Sequence, residues 1–536
     1  ITLGGGSLAG ALFLGILGGP SMLWLQLVAI TMGVVMLSAI SYVTLSTGER
    51  PFGMINRHIN PALGWGWLVA TCMANIIWCM PQFSLCFEAL EQNLAPDLVE
   101  DTDSWKFQVS IVLLAVTCGV LALNIKGGFA AKLFDWFLKA LIGMIVLCFF
   151  GVVIYLSNQG LLDWGAIFAG FIPDFSQWGQ ASGDIKPLLD NLSTDAQEFW
   201  KSRLVHEQRA VMIGAAATAV GINMTFLMPY SLLQRGWDKT FRGLARFDLA
   251  TGMAIPYVLV TACVVIASSH AFHGKADEAF LSDDPAVFQK SPLFKDAQSN
   301  LLARVRPDSQ KSSLSDFAEP EQLSVLTNMA TLPREEKQIA SSLVRRNAFK
   351  LSTALAPLLG EENANLVFGL GVFGMGFSTI IILMMINGFV FCEALGVRKQ
   401  SVVFFAGCLV AGVAGASWPM VWDGPAKMWL AILASSFGMM LLPIAYVTFF
   451  MLMNSKRVLG EDRPEGASRV IWNVLMGLSV LGAIAAAGTA IFDKVVERST
   501  PTTALVSNVV IGMVVVYLLL VVAGFALRSS KTSSLN

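Results

Sequence analysis

Twelve long apolar runs, separated by polar stretches, account for most of this chain; they lie near 1–19, 21–46, 62–92, 107–124, 133–157, 208–233, 247–271, 364–391, 401–419, 427–453, 468–492 and 504–527. A helix needs about 20 apolar residues to cross the hydrocarbon layer of a bilayer. Each run therefore predicts a membrane-crossing helix, and the chain reads as an all-α integral membrane protein. Two runs are interrupted. The first holds Gly4-Gly5-Gly6-Ser7 and the second holds Met228-Pro229-Tyr230-Ser231. Glycine and proline weaken helices, and in lipid a broken helix leaves backbone N–H and C=O groups unpaired. Such breaks persist where the freed groups line a cavity or hold a solute, and each one here opens a block of five spans. A pair of broken spans in matching positions is a sequence pointer to a transport site.

Charge orients the runs. Arg50, Arg57, Arg235, Lys239, Arg242, Arg246, Lys456, Arg457 and Arg463 fall in one set of short loops and the tail that together carry 16 Lys and Arg, while the opposite short loops carry four, Lys106, Lys427, Lys494 and Arg498. Basic residues stay on the cytoplasmic side. This predicts a cytoplasmic C-terminus, with the acidic Asp97, Glu100, Asp101 and Asp103 outside. Two long loops, 158–207 and 272–350, then face out. The first carries an amphipathic stretch at Asp195–Glu207. The second has helix-like spacing at Glu335-Glu336-Lys337.

Composition sharpens the class. Of 536 residues 55% are hydrophobic and 14% charged, with net charge −1, against about 25% charged in soluble proteins. The lipid bilayer is the expected partner and no nucleic acid is implied; a multi-pass protein of a bacterial inner membrane fits. All eight cysteines lie in apolar runs, so neither a disulfide framework nor a cysteine metal site is expected. The chain starts with Ile inside an apolar run, which reads as an N-terminal truncation without a visible signal peptide. Polar residues inside spans are rare and mark function or interhelical bonds; Asn75, Gln82, Asn223, Thr225 and Asn387 qualify. His270 and His273 read as interfacial. No metal-binding His pair, nucleophile elbow or P-loop is present, since Gly4-Gly5-Gly6 lacks the following Lys-Ser/Thr. An enzyme is not expected, and neither is a bound cofactor.

Several segments resemble the natural resistance-associated macrophage protein (Nramp) family of divalent-metal transporters. These are Ser46-Thr47-Gly48 closing the second span, Ala271-Phe272-His273-Gly274 closing the seventh, Pro357-Leu358-Leu359-Gly360 before the eighth, and Leu442-Pro443 in the tenth. The resemblance implies a five-plus-five inverted repeat with broken helices 1 and 6, as in the leucine transporters. It implies a first repeat over 1–157, an outer loop 158–207, a second repeat over 208–453 carrying the insertion 272–350, and two further spans with a tail over 454–536. It also implies a secondary transporter of metal cations that works by alternating access.

The departures from that family bear on the substrate. Its first-helix Asp-Pro-Gly-Asn is Gly4, Gly5, Gly6 and Ser7 here, and its sixth-helix Met-Pro-His is Met228, Pro229 and Tyr230, followed by Ser231. Carried over, Met228 is retained, the Thr225 carbonyl can serve, and Ser7 replaces an asparagine. Met228, Thr225 and Ser7 are the metal ligands this implies. The substrate site adds Gly4, Gly5, Gly6, Asn223, Pro229, Tyr230 and Ser231. Without the carboxylate, the desolvation of a divalent ion is poorly offset. A monovalent or hydrated cation, a small polar solute, or a non-transporting sensor remain as alternatives.

Overall fold

The computed structural model describes residues 4–126, 129–309, 311, 313–346, 348–397, 402–422, 427–496 and 501–533. Residues 1–3 of the first apolar run lie outside these. The long helices are α1 (Gly5–Gly18), α2 (Leu23–Thr47), α3 (Pro61–Ala89), α4 (Asp103–Lys126), α5 (Phe129–Asn158), α6 (Thr194–Ala219), α7 (Ile222–Gln234), α8 (Ile255–Phe272), α9 (Glu361–Leu395), α10 (Val402–Ala416), α11 (Trp429–Asn454), α12 (Gly466–Val496) and α13 (Pro501–Ser533). Among the described residues ten helical stretches are long and apolar enough to cross a membrane; one of them, Gly5–Thr47, is divided by the turn Gly19–Met22, and Val402–Ala416 is a shorter apolar helix. The twelve expected spans are therefore all present.

The outer surfaces of α12 and α13 carry exposed Leu475, Leu478, Leu481, Leu518, Leu519 and Leu520. In lipid such a surface needs no cover, because acyl chains are as apolar as leucine. Inside, two bodies form. In one, α3, α4, α9 and α10 enclose Phe83, Phe87, Ile380, Met384 and Cys408. In the other, α1, α2, α6, α7 and α8 pack around separate cores. Between them runs α11, whose Trp429 meets Phe13 of α1 edge-on, with ring centroids 4.8 Å apart.

The insertion folds into helices, and Arg334–Ser342 is one of them, as the spacing of Glu335-Glu336-Lys337 predicts. The buried Lys337 ammonium is satisfied by the carbonyls of Leu281 at 2.9 Å and Ala330 at 2.8 Å and by Asp283 at 3.0 Å. Glu336 accepts from Trp200 Nε1 at 2.7 Å and pairs with Arg304 at 2.7 Å. These bonds explain one difference from the sequence reading. Asp195–Glu207 is not part of a loop ending at 207 but the first half of α6, which begins at Thr194. Its apolar side, with Trp200 and Leu204, is buried under the insertion. At the rim of the other body, Lys427 pairs with Glu91 at 3.2 Å and Asp101 at 3.1 Å. Burial would raise the Asp101 carboxyl, but Lys427 and Lys106 hold it below its ordinary range.

Candidate functional site

The first expected interruption, Gly4-Gly5-Gly6-Ser7, falls at the start of the described part of its run; the residues before Gly4 lie outside the described residues. Gly4 is the N-cap of α1 with extended backbone, and Gly5, Gly6 and Ser7 form the first turn. The Gly4 N–H donates to Ser7 Oγ at 3.2 Å, so the serine folds its hydroxyl back over the helix end.

The second interruption lies elsewhere. The chain leaves helical geometry at Val220 (φ −144°, ψ 101°) and Gly221 (φ −81°, ψ 166°), and α7 restarts at Ile222. Met228-Pro229-Tyr230-Ser231, expected as the break, is helical. Packing decides this: a Cβ on Gly221 would meet the Trp78 ring at 2.4 Å, and only the missing side chain lets the indole close there. Pro229 still leaves a mark inside α7. It has no N–H to offer the Thr225 carbonyl four residues earlier. Pro81 does the same to Ile77 within α3.

A cavity of about 80 Å³ lies between the start of α1 and the α6–α7 break, lined by Gly4, Gly6 and Ser7 at that start, by Trp78, Pro81 and Gln82 of α3, and by Thr218, Gly221, Asn223 and Met224 around the break. Thr379 of α9 and Ser435 of α11 complete its polar wall. Among the described residues no lining side chain carries a formal charge. The Trp78 indole donates to the Ala434 carbonyl at 2.9 Å, and the Asn223 amide oxygen accepts the Met224 N–H at 2.8 Å. Gln82 is 4% exposed, and its Oε1 is buried without a hydrogen-bond partner. That oxygen lies 2.8 Å from where a Cβ on Gly5 would sit; the glycine leaves the room it occupies.

Of the residues expected at the site, Gly4, Gly6, Ser7 and Asn223 meet at this cavity. Gly5 lies behind it, against Gln82 and Leu85. The Thr225 hydroxyl donates to the Ile222 carbonyl at 2.6 Å and accepts from Trp67 Nε1 at 2.9 Å, while its carbonyl, the atom expected as a ligand, is the one that Pro229 leaves without its helical donor. Met228 and Ser231 line a second cavity further along α7, and Met228 Sδ accepts from Ser41 Oγ at 3.6 Å. Pro229 and Tyr230 are buried in α7, where Tyr230 stacks on Phe226 at 4.4 Å. The expected ligand set of Met228, Thr225 and Ser7 is thus not gathered around one cavity. The reason is the register of the break: with α7 starting at Ile222, the stripe facing inward is Met224, Met228, Ser231 and Arg235, at helical spacing.

The sequence reading missed Trp78, Thr218, Gly221, Met224, Thr379 and Ser435 as cavity residues. Gly221 alone left a local signal, a glycine inside an apolar run. It also passed over Glu88, fully buried in α3 beyond Gln82, although an acid inside an apolar run marks a functional candidate. Among the described residues no three His, Cys, Asp or Glu side chains come together as a metal cluster.

A helix broken beside a small polar cavity inside a bundle of apolar helices is the arrangement found at the sites of secondary membrane transporters. The sequence pattern of the natural resistance-associated macrophage protein-like family, Nramp, matches residues 1–294 and 324–493, and the chain belongs to that family. The fold agrees. The manganese transporter of Eremococcus coleocola, in complex with an aromatic bis-isothiourea substituted compound, superposes with TM-score 0.63 at 14% identity, over 98% of this chain and 92% of that one. Two single-residue variants of that transporter superpose with TM-score 0.62 at the same identity and coverage. Among curated proteins none matches in sequence.

Proposed function

We propose that this protein carries a metal cation across the bilayer by alternating access, holding it in the cavity beside the α6–α7 break. One observation carries the reading: Gln82 lines that cavity, and its buried amide oxygen has no hydrogen-bond partner among the described residues. An unpaired buried acceptor costs about 1–3 kcal/mol, and a bound cation removes that cost. Ser7, Thr218 and Ser435 hydroxyls and the Met224 thioether can complete a neutral ligand set. Family membership supports the substrate class, as do the neighbours of like fold, which are named manganese transporters.

The two bodies on either side of the cavity provide the rocking elements. On the arginine-rich face, Arg50 beyond α2 pairs with Glu393 of α9 at 3.0 Å, and its guanidinium lies 5.7 Å from the centre of the Tyr230 ring. Opening toward that face parts this pair. The excess of basic residues there favours a cytoplasmic position for it and for the C-terminus. The insertion 272–350 then stands outside a bacterial inner membrane.

The test is uptake of Mn²⁺, Fe²⁺, Co²⁺, Cd²⁺ and Cu⁺ into proteoliposomes by the wild type, Gln82→Leu and Gln82→Glu. Leucine removes the oxygen and is expected to lower uptake about tenfold, a loss of ~1.4 kcal/mol, without loss of thermal stability. Glutamate supplies a carboxylate and is expected to strengthen binding of divalent ions. Equal uptake by all three proteins removes Gln82 from the site and this reading with it.

A further inference from the structure

The second cavity, about 340 Å³, is lined by Met224, Met228 and Ser231 of α7, by Met253 and Gly252 of the helical turn before α8, and by Arg235 and Asp248 at its far end. Met224 lines the first cavity as well, so one methionine borders both. We propose that Met224, Met228 and Met253 form a thioether relay that takes a soft monovalent cation, of the Cu⁺ and Ag⁺ class, from the cavity at the break toward the arginine-rich face. The inference rests on the transporter reading above and names its substrate class.

Three features support it. First, Met224 and Met228 are one helical turn apart and face the same way, while Met253 approaches from the facing segment. Methionine often fills gaps in cores. These three instead border a cavity that remains open. Second, the donor chemistry suits a soft ion. Met228 Sδ is held by the Ser41 hydroxyl at 3.6 Å, and thioethers select Cu(I) over hard cations. Third, charge favours a single positive unit. The first cavity has no charged lining residue, and the only carboxylate on the second is Asp248. The Born cost of desolvation grows with the square of the charge, so a monovalent ion pays roughly a quarter of the penalty of a divalent ion of equal size. Arg235, the basic residue at the far end, turns its guanidinium to Trp237, 6.0 Å from the ring centre.

The experiment uses the full chain in nanodiscs in chloride-free buffer, with Ag⁺ as the probe and the thiols alkylated beforehand, since Cys72, Cys118 and Cys148 are only half-buried. Equilibrium dialysis compares the wild type with Met224→Leu/Met228→Leu/Met253→Leu, which keeps volume and removes sulfur. The single Met253→Leu serves as a second variant should the triple fail to fold. Saturable Ag⁺ binding that weakens about tenfold or more in the triple variant, and measurably in the single one, is the expected result. Ag⁺ affinity unchanged by the substitutions, or no saturable Ag⁺ binding, overturns the relay. Uptake of Mn²⁺ or Fe²⁺ without Ag⁺ binding overturns it too but leaves the transporter reading intact. Methionine-dependent Ag⁺ binding with no flux of any cation overturns the transporter reading, and with it the relay, leaving only a thioether binding site.

Discussion

The Trp78 ring occupies the space that a side chain on Gly221 would fill, with its edge 2.4 Å from the ideal Cβ position. Trp78 cannot easily retreat. Its Nε1 is bonded to the Ala434 carbonyl at 2.9 Å, and its other edge rests on Gly438. The interruption between α6 and α7 is therefore locked from α3 and α11 as much as by its own sequence.

Gly221→Ala is expected to destabilise the protein by about 1–3 kcal/mol, the usual cost of overpacking, and to abolish uptake. Adding Trp78→Phe, which removes the second ring, should restore part of the stability. Thermal unfolding in detergent checks both. A Gly221→Ala protein as stable as the wild type would place the break elsewhere.

Neighbouring glycines at the start of α1 should behave differently. A Cβ on Gly5 meets Leu85 Cδ1 at 2.6 Å and Gln82 Oε1 at 2.8 Å, whereas on Gly6 the nearest atom is Thr218 Cγ2 at 3.3 Å. Alanine in place of glycine in a helix gains about 0.5–1 kcal/mol. Gly6→Ala is thus expected to be neutral or slightly stabilising, and Gly5→Ala to lower the melting temperature. Gly6→Val, which fills the cavity, should stop uptake by a protein that still folds. Normal uptake by Gly6→Val would remove the cavity from the transport path.

His273 ties three segments together at the insertion side. Its Nε2 accepts the Asp184 N–H at 3.0 Å, so its Nδ1–H donates to the Ile16 carbonyl at 2.9 Å. Protonation at Nε2 ends the bond to Asp184. Burial holds the imidazole below its ordinary range, with the Ile16 carbonyl and Asp184 partly opposing. The unfolded chain then binds a proton more readily than the folded one. The stabilisation is full above the unfolded value of about 6.5 and declines as pH falls from there toward the lowered folded value. His273→Ala should cost about 1–3 kcal/mol at neutral pH, for the partners left unpaired, and should flatten this part of the profile. Unfolding curves between pH 5 and 8 measure it; a variant with the same slope as the wild type would assign the dependence to another group.

The twelve spans and the helix at Arg334–Ser342 were legible in the sequence, because burial in lipid demands long apolar runs and surface helices carry a local charge pattern. The second interruption was not. Met228-Pro229-Tyr230-Ser231 looks locally like a break, yet proline inside α7 removes only one donor, and the helix continues through it. Thr225 and Tyr230 look like site residues by position, but Trp67 and Phe226 take them. Gln82 stood out only as one polar residue among several, and nothing local told it from Asn75 or Asn387. Local chemistry thus fixes which segments cross the membrane. Which side chains face one another across the cavity depends on contacts between α3, α6, α7 and α11, residues far apart in the chain, and only the tertiary packing settles those.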